Sequence, residues 1–470
     1  MRRFVTVIGG GLAGAEAAWQ AARRGARVRL YEMRPAVPTA AHKTGDLAEL
    51  VCSNSLKSDE LTNAHGLLKE EMRRLGSLVL ERAEEARVPA GAALAVDREQ
   101  FAAGITRAIE NEPRIELVRE EVPEIPAEGP VIVATGPLVS PAMARSIAVF
   151  TGREYLFFYD AVSPIVEADS IDLSIAFRAS RYGKGEGADY LNCPMTEDEY
   201  RVFYEALLGA ARVDFHDFDR AHFFEGCLPI EELALRGVDT LRFGPMKPVG
   251  LVDPRTGQRP YAVVQLRQDN MAAEHYNIVG FQNQLKFGEQ TRIFRMIPGL
   301  GGAVFVRLGM IHRNTYINAP AILLSTFQAR RRSDLFFAGQ VSGVEGYVES
   351  AASGILAGLN AERLLAGREP VSPPVETALG ALCRYISSAD PAGYQPTNIA
   401  FGLLPRVEAG GRAGKTEKRA RMVERALRSL DGWLAAQGLT PDWPIPARRD
   451  AIAPATAGSR SAPRSQARPS

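Results

Sequence analysis

Apolar, β-branched residues fill positions 4–8, and small apolar residues then recur with helical spacing over 13–24. A second strand-like run follows at 28–31. This pattern predicts a βαβ unit at the start of the chain. Further along, a helix is predicted near 64–85, short strands near 92–96 and 115–118, and a buried strand over 131–136 that ends in Thr135-Gly136. Residues 151–290 differ in texture, with many aromatics, clustered prolines and irregular turns. They predict a separate α+β unit. Another apolar strand runs over 335–339, followed by a turn and a helix rich in small residues over 341–365. After 447 only Pro, Ser, Ala and Arg recur without period, which predicts a disordered tail over 447–470. No internal repeat is present.

The residues between the first strand and helix sharpen this picture. They read Gly9-Gly10-Gly11-Leu12-Ala13-Gly14, a G-x-G-x-x-G turn opening a helix, and Glu32 ends the second strand eighteen residues after Gly14. In that arrangement Gly9 permits the tight turn, Gly11 lets a pyrophosphate approach the backbone, and Gly14 lets helix and strand pack closely. The helix N-terminus offers N–H groups to phosphates, and Glu32 suits ribose hydroxyls. A dinucleotide therefore binds here, and a carboxylate at that position disfavours a 2′-phosphate.

Two features select FAD over NAD. The strand ends at Gly136 and Gly339 bracket the insertion, and Gly343-Val-Glu-Gly-Tyr347 can start a helix aimed at a flavin ring. No second G-x-G-x-x-G follows a strand, so a nicotinamide reductant is expected to visit rather than to have its own domain. The expectation is an α/β chain: an FAD-binding, Rossmann-like domain of the glutathione-reductase type over 1–150 and 291–446, with an inserted α+β substrate domain over 151–290.

Composition adds bounds. The 470 residues are 46% hydrophobic and 24% charged with a formal net charge of +1. No run of eighteen apolar residues occurs, and neither a signal-peptide pattern nor a CxxC pair is present, so a cytoplasmic protein with reduced thiols and no zinc site is expected. The neutral balance hides basic clusters at Arg330-Arg331-Arg332 and along 406–428, which can hold phosphates. Of the four cysteines, Cys193 and Cys383 read as structural. Cys52 lies in a small, polar turn, and Cys227 lies just before a helix start marked by Pro229, Glu231 and Glu232. By residue type alone, either of these two is a small core residue or a reactive thiol.

Five segments, Val51-Cys-Ser-Asn-Ser55, Phe224-Glu-Gly-Cys-Leu-Pro-Ile230, Phe243-Gly-Pro-Met-Lys-Pro-Val249, His312-Arg-Asn-Thr-Tyr316 and Gly343-Val-Glu-Gly-Tyr347, resemble in this order the TrmFO family. These are folate- and FAD-dependent tRNA (uracil-5-)-methyltransferases, and the resemblance covers about residues 3–435. It implies Cys227 as the nucleophile that adds to uracil C6 and Cys52 as a second thiol near the flavin. It implies methylenetetrahydrofolate as carbon donor, NAD(P)H as reductant, and the T-loop uridine at tRNA position 54 as target. Extrusion of that base is expected. Tyr347 is a candidate for stacking near the flavin, His312 and Arg313 for folate or phosphate, and Lys247 and Arg267 for anions. Arg98 is placed near the adenine half or in a surface ion pair. The alternatives are a wobble-uridine flavoenzyme, a small-molecule flavin oxidoreductase, and a catalytically silent RNA-binding flavoprotein.

Overall fold

The computed structural model describes residues 4–39, 41–152, 156–213, 228–407 and 414–440, without the side chains of 156–160 and 311–313. The expected nucleophile Cys227 and the expected tail 447–470 lie outside the described residues.

The main sheet has six strands in the spatial order Gln328–Ala329, Arg332–Phe337, Val131–Val133, Val5–Ile8, Val28–Tyr31 and Ile115–Val118. All neighbours run parallel except the first pair. Val5–Ile8 is buried along its whole length, which suits its β-branched sequence Val-Thr-Val-Ile. Leu335 pairs with Val131, so a strand more than three hundred residues from the first completes the same sheet.

The small-residue helix, Tyr347–Leu365, packs against Leu12–Arg23 at backbone contact distance. A Cβ on Gly354 would stand 2.2 Å from the Ala13 carbonyl oxygen, and one on Gly358 would stand 2.3 Å from that of Ala17. The single helix expected over 64–85 is two helices, Ala64–Arg74 and Leu78–Glu85. Gly76, at φ +70°, turns the chain between them, and Ser77 caps the second by accepting from the Leu80 N–H.

The inserted unit is an antiparallel sheet in the order Phe177–Arg178, Tyr190–Met195, Ala262–Gln268, His275–Ile278, Ile165–Glu167 and Phe305–Arg307. Its central strand Ala262–Gln268 is buried throughout. Helices Glu197–Leu208, Ile230–Leu235 and Phe287–Phe294 share its core, where Phe281 lies 6.2 Å from Phe203 and 5.6 Å from Phe294 by ring centroids. The expected boundary at 290/291 cuts this core, since Ile293, Phe294, Ile297, Leu300 and Ala303 pack in it. The chain crosses between the two bodies on an antiparallel ribbon of Leu156–Ala161 and Ile311–Tyr316. Among the described residues, no helix is long and apolar enough to cross a membrane.

Candidate active site

The glycine turn opens a cleft of about 1040 Å³ along the carboxyl ends of the parallel strands. Gly9 has φ +100°, and a Cβ there would meet the Ala134 carbonyl oxygen at 2.5 Å. A Cβ on Gly14 would lie 1.8 Å from the Gly9 carbonyl oxygen, so only glycine lets the helix approach the turn. Gly11 faces open space and caps the helix with backbone alone, leaving the first N–H groups directed at a ligand. Gly10, Leu12, Ala13, Gly136 and Gly339 line the same cleft.

Glu32 closes one end. Its Oε2 accepts from the Gly10 N–H at 2.8 Å, and its Oε1 accepts from Arg34 N and Nε, each at 2.9 Å. Burial alone would raise its pKa, but the Arg34 hydrogen bond and charge outweigh it and hold the carboxyl below its ordinary value. Oε2 keeps a lone pair for a ribose hydroxyl. Open glycine backbone, an uncapped helix start and a fixed carboxylate fit the adenosine diphosphate half of a dinucleotide.

Gly343 departs from expectation. It lines neither this cleft nor the neighbouring one; a Cβ there would stand 2.1 Å from the Tyr394 hydroxyl, which donates to the Gly343 carbonyl at 2.9 Å. Its role is to let Tyr394 pack. The helix begins later, at Tyr347, with Gly346 as an N-cap that supplies no side chain.

The second cleft, about 1220 Å³, holds Cys52, Ser53, Lys57 and Arg267. It shares Val51, Pro137, Leu138, Gln340, Tyr347 and Ser350 with the first, so the two are continuous around Tyr347. The Tyr347 hydroxyl accepts from the backbone N–H of Cys52 at 2.8 Å and of Ser53 at 3.2 Å. Burial and then the nearby Cys52 raise its pKa, so it remains a neutral phenol. Tyr347 thus fixes the cysteine turn as well as lining the cleft.

Arg307, which the sequence did not single out, holds the rest of that turn together with Arg98, Asn54 and Arg267. Arg307 donates to the carbonyls of Val51 at 3.1 Å and Cys52 at 3.3 Å; burial, and then the charge of Arg98, lower its pKa to about 10. Arg98 donates to the Leu50 carbonyl and to Asp269, each at 3.0 Å, so it joins the two bodies and does not serve the adenine half. Asn54 donates to the carbonyls of Val96 and Gln268 at 3.0 and 2.9 Å. Arg267, 7% exposed, donates to Asn54 Oδ1 at 2.8 Å and Ser53 Oγ at 2.7 Å, and burial lowers its pKa. No acid lies within ion-pair distance of it among the described residues. Lys57 holds φ +61°, strained for a lysine, and its Nζ donates to Asn398 at 2.8 Å across the same cleft.

Of the expected site residues, the structure therefore brings Cys52, Arg267 and Tyr347 together. Lys247 is exposed and lines neither cleft. His312 and Arg313 lie on the ribbon between the bodies, opposite Asp160 and Tyr159. Cys193 and Cys383 are buried; burial raises Cys193 to about 12 and Cys383 likewise upward, which suits packing rather than reactivity.

Comparison with known proteins places the chain in a family. Residues 4–369 match the family model described as "Glucose inhibited division protein A". A Geotalea uraniireducens protein named methylenetetrahydrofolate--tRNA-(uracil-5-)-methyltransferase TrmFO is 62% identical over 434 residues, covering 92% of this chain and 99% of its own. A Symbiobacterium thermophilum protein of the same name is 60% identical over 431 residues, covering 91% of this chain and 96% of its own. The solved structure of Aquifex aeolicus GidA in its form II crystal superposes with a TM-score of 0.66 at 17% identity, covering 91% of this chain and 73% of that one. The fold is thus the expected α/β one, a Rossmann-like sheet of the glutathione-reductase type with an inserted α+β body.

Proposed function

Because this chain belongs to the TrmFO family, within the wider family of glucose inhibited division protein A, we propose that it transfers a one-carbon unit from methylenetetrahydrofolate to C5 of a tRNA uridine, the T-loop position 54, in the cytoplasm. The observation that carries the proposal is the junction at Tyr347, where a dinucleotide cleft and a thiol-bearing cleft share one wall. FAD, when bound along the first cleft, supplies the redox-active ring, and NAD(P)H supplies the electrons.

The chain's own residues supply the remainder. Uracil C5 is a poor nucleophile until a thiolate adds to C6. In that step a C6–S bond forms, and the C5–C6 π pair moves into an enolate whose C5 can attack carbon. Loss of the C5 proton and cleavage of the C6–S bond then restore the ring, and two electrons from NAD(P)H with a proton reduce the transferred methylene to methyl as its carrier nitrogen leaves. Cys227 is proposed for the addition and Cys52 for handling the proton or intermediate at C5. Cys227 precedes the helix Ile230–Leu235 by three positions in the sequence. The Ile230 N–H donates at 2.7 Å to the carbonyl of Gln282, which lines the Cys52 cleft. Arg267, buried beside Ser53 with no acid within ion-pair distance among the described residues, is proposed to face the substrate's developing negative charge. His312 and Arg313, on the ribbon between the bodies, are proposed for folate. Residues 4–150 and those after the ribbon form the cofactor domain, and those inside it form the substrate domain.

Flavin-loaded protein given unmodified tRNA, methylenetetrahydrofolate and NADPH is expected to form 5-methyluridine. Cys227→Ala should abolish product with flavin absorbance intact; full activity in that variant would refute its role.

A further inference from the structure

Two loops of the inserted body present aromatic rings that neither core uses. Tyr182 is 68% exposed and Phe243 is 83% exposed. Tyr182 is held in place by its surroundings. Tyr182 holds φ +59°, a conformation costly for a tyrosine. A Cβ built on Gly250 would stand 3.0–3.1 Å from Tyr182 Cζ, Cε1 and Cε2, and such near-equal distances put Gly250 over the ring face. The Tyr182 N–H also donates to the Gly250 carbonyl at 3.1 Å. One face of the ring is therefore backed by bare backbone while the ring stays largely open to solvent.

The second loop is fixed to the first. Arg181 donates to the carbonyls of Lys247 and Val249, and its Nε donates to Gln265 Oε1 at 2.8 Å. Met246 is fully buried, and its carbonyl accepts from the Val263 N–H at 3.0 Å, which leaves Phe243 and Lys247 outside. Gln265 precedes Arg267 by two residues on the strand Ala262–Gln268, so the two share a face, and Arg267 lines the Cys52 cleft. The loops thus adjoin the proposed active site. Lys247 on the second segment is exposed, as is Arg259 two residues before Tyr261, and neither has an acid within ion-pair distance among the described residues.

We propose that Tyr182 and Phe243 are stacking platforms for unpaired bases of an RNA loop, and that Lys247 and Arg259 neutralise its phosphates. Open rings on a surface that carries exposed cations suit single-stranded or looped RNA, whose bases can be splayed out, whereas a duplex keeps its faces stacked. The proposal rests on the tRNA reading for its choice of nucleic acid and goes beyond it in naming the surface.

The test is the affinity of the flavin-loaded full chain for an unmodified tRNA transcript and for an RNA duplex of similar length, by fluorescence anisotropy at several salt concentrations. Tyr182→Ala and Phe243→Ala should each weaken tRNA binding about tenfold, the effect of one lost base stack, and the double variant about a hundredfold. Tyr182→Phe and Phe243→Trp should retain near-native affinity. Lys247→Ala should lower the salt slope by about 1. Flavin absorbance and flavin reduction by NADPH should be unchanged in all of them. Affinities within twofold of the parent, equal losses for duplex and tRNA, or loss of flavin alongside RNA binding would each overturn the proposal. A parent chain that binds tRNA through this surface but forms no 5-methyluridine would instead overturn the reaction and leave the surface standing.

Discussion

The two joined clefts are built in opposite ways. The dinucleotide end is nearly continuous in sequence: one turn, one helix start and one acid within residues 9–32. The thiol end is assembled from remote pieces. Cys52 is held by Tyr347 and Arg307, 295 and 255 residues away, and Arg267 reaches Asn54 across 213. The first end depends mainly on absent side chains and free backbone groups, with Glu32 as its fixed acid, so added atoms threaten it most. The second depends on donors and acceptors converging on five residues, so it is sensitive to the loss of single polar groups.

This contrast can be broken most sharply at Gly14. Gly14→Val places atoms where the Gly9 carbonyl lies, only 1.8 Å from a Cβ. Flavin content, read from absorbance of the purified protein, should fall to near zero with a marked drop in melting temperature; a flavin-loaded variant would show that the turn is not the seat of the cofactor.

At the thiol end the cofactor should stay while turnover fails. Arg307→Gln removes charge-assisted bonds to two carbonyls, each worth about 1.5–3 kcal/mol. Methylation should fall by at least a hundredfold with flavin retained, and near-parental turnover would count against the cradle. Tyr347→Phe is milder. It leaves the Cys52 and Ser53 N–H groups without their acceptor, a loss of about 1–3 kcal/mol. Turnover should drop roughly tenfold to a hundredfold, in kcat rather than in flavin affinity, and a change in flavin affinity alone would reverse the assignment.

The smallest effect concerns Glu32. Its folded pKa lies below the unfolded one, so its contribution is present above the ordinary carboxylate pKa and is lost as pH falls through the lower folded value. Thermal melts should show stability declining through that acidic range, and Glu32→Gln should flatten the decline. An unchanged pH profile would remove Glu32 from the balance.

How much of this was legible follows from the same contrast. Gly9, Gly11, Gly14 and Glu32 were readable because local spacing dictates local geometry. The parallel sheet was readable from apolar strands ending in glycine at 136 and 339. Arg307 was not, because nothing local marks an arginine whose partners are carbonyls of a turn folded against it, whereas Arg98 was weighed as an ion-pair residue and pairs with Asp269. Gly343 misled for a related reason. It sits in a motif beside the site, yet it makes room for Tyr394. The boundary at 290/291 failed because Phe287–Phe294 reads as an ordinary amphipathic helix, and only packing shows which core it joins. Cys227 was identified by resemblance and lies outside the described residues, so its role rests on the variant test.

The central claim is that the thiol cleft delivers a folate-borne carbon to a tRNA base held beside the cofactor. Mass spectrometry of tRNA nucleosides, after reaction with isotope-labelled methylenetetrahydrofolate and NADPH, tests it most directly. The account predicts one labelled methyl group on C5 of a single T-loop uridine. Label on another base, or unlabelled tRNA recovered from flavin-loaded protein, would contradict it.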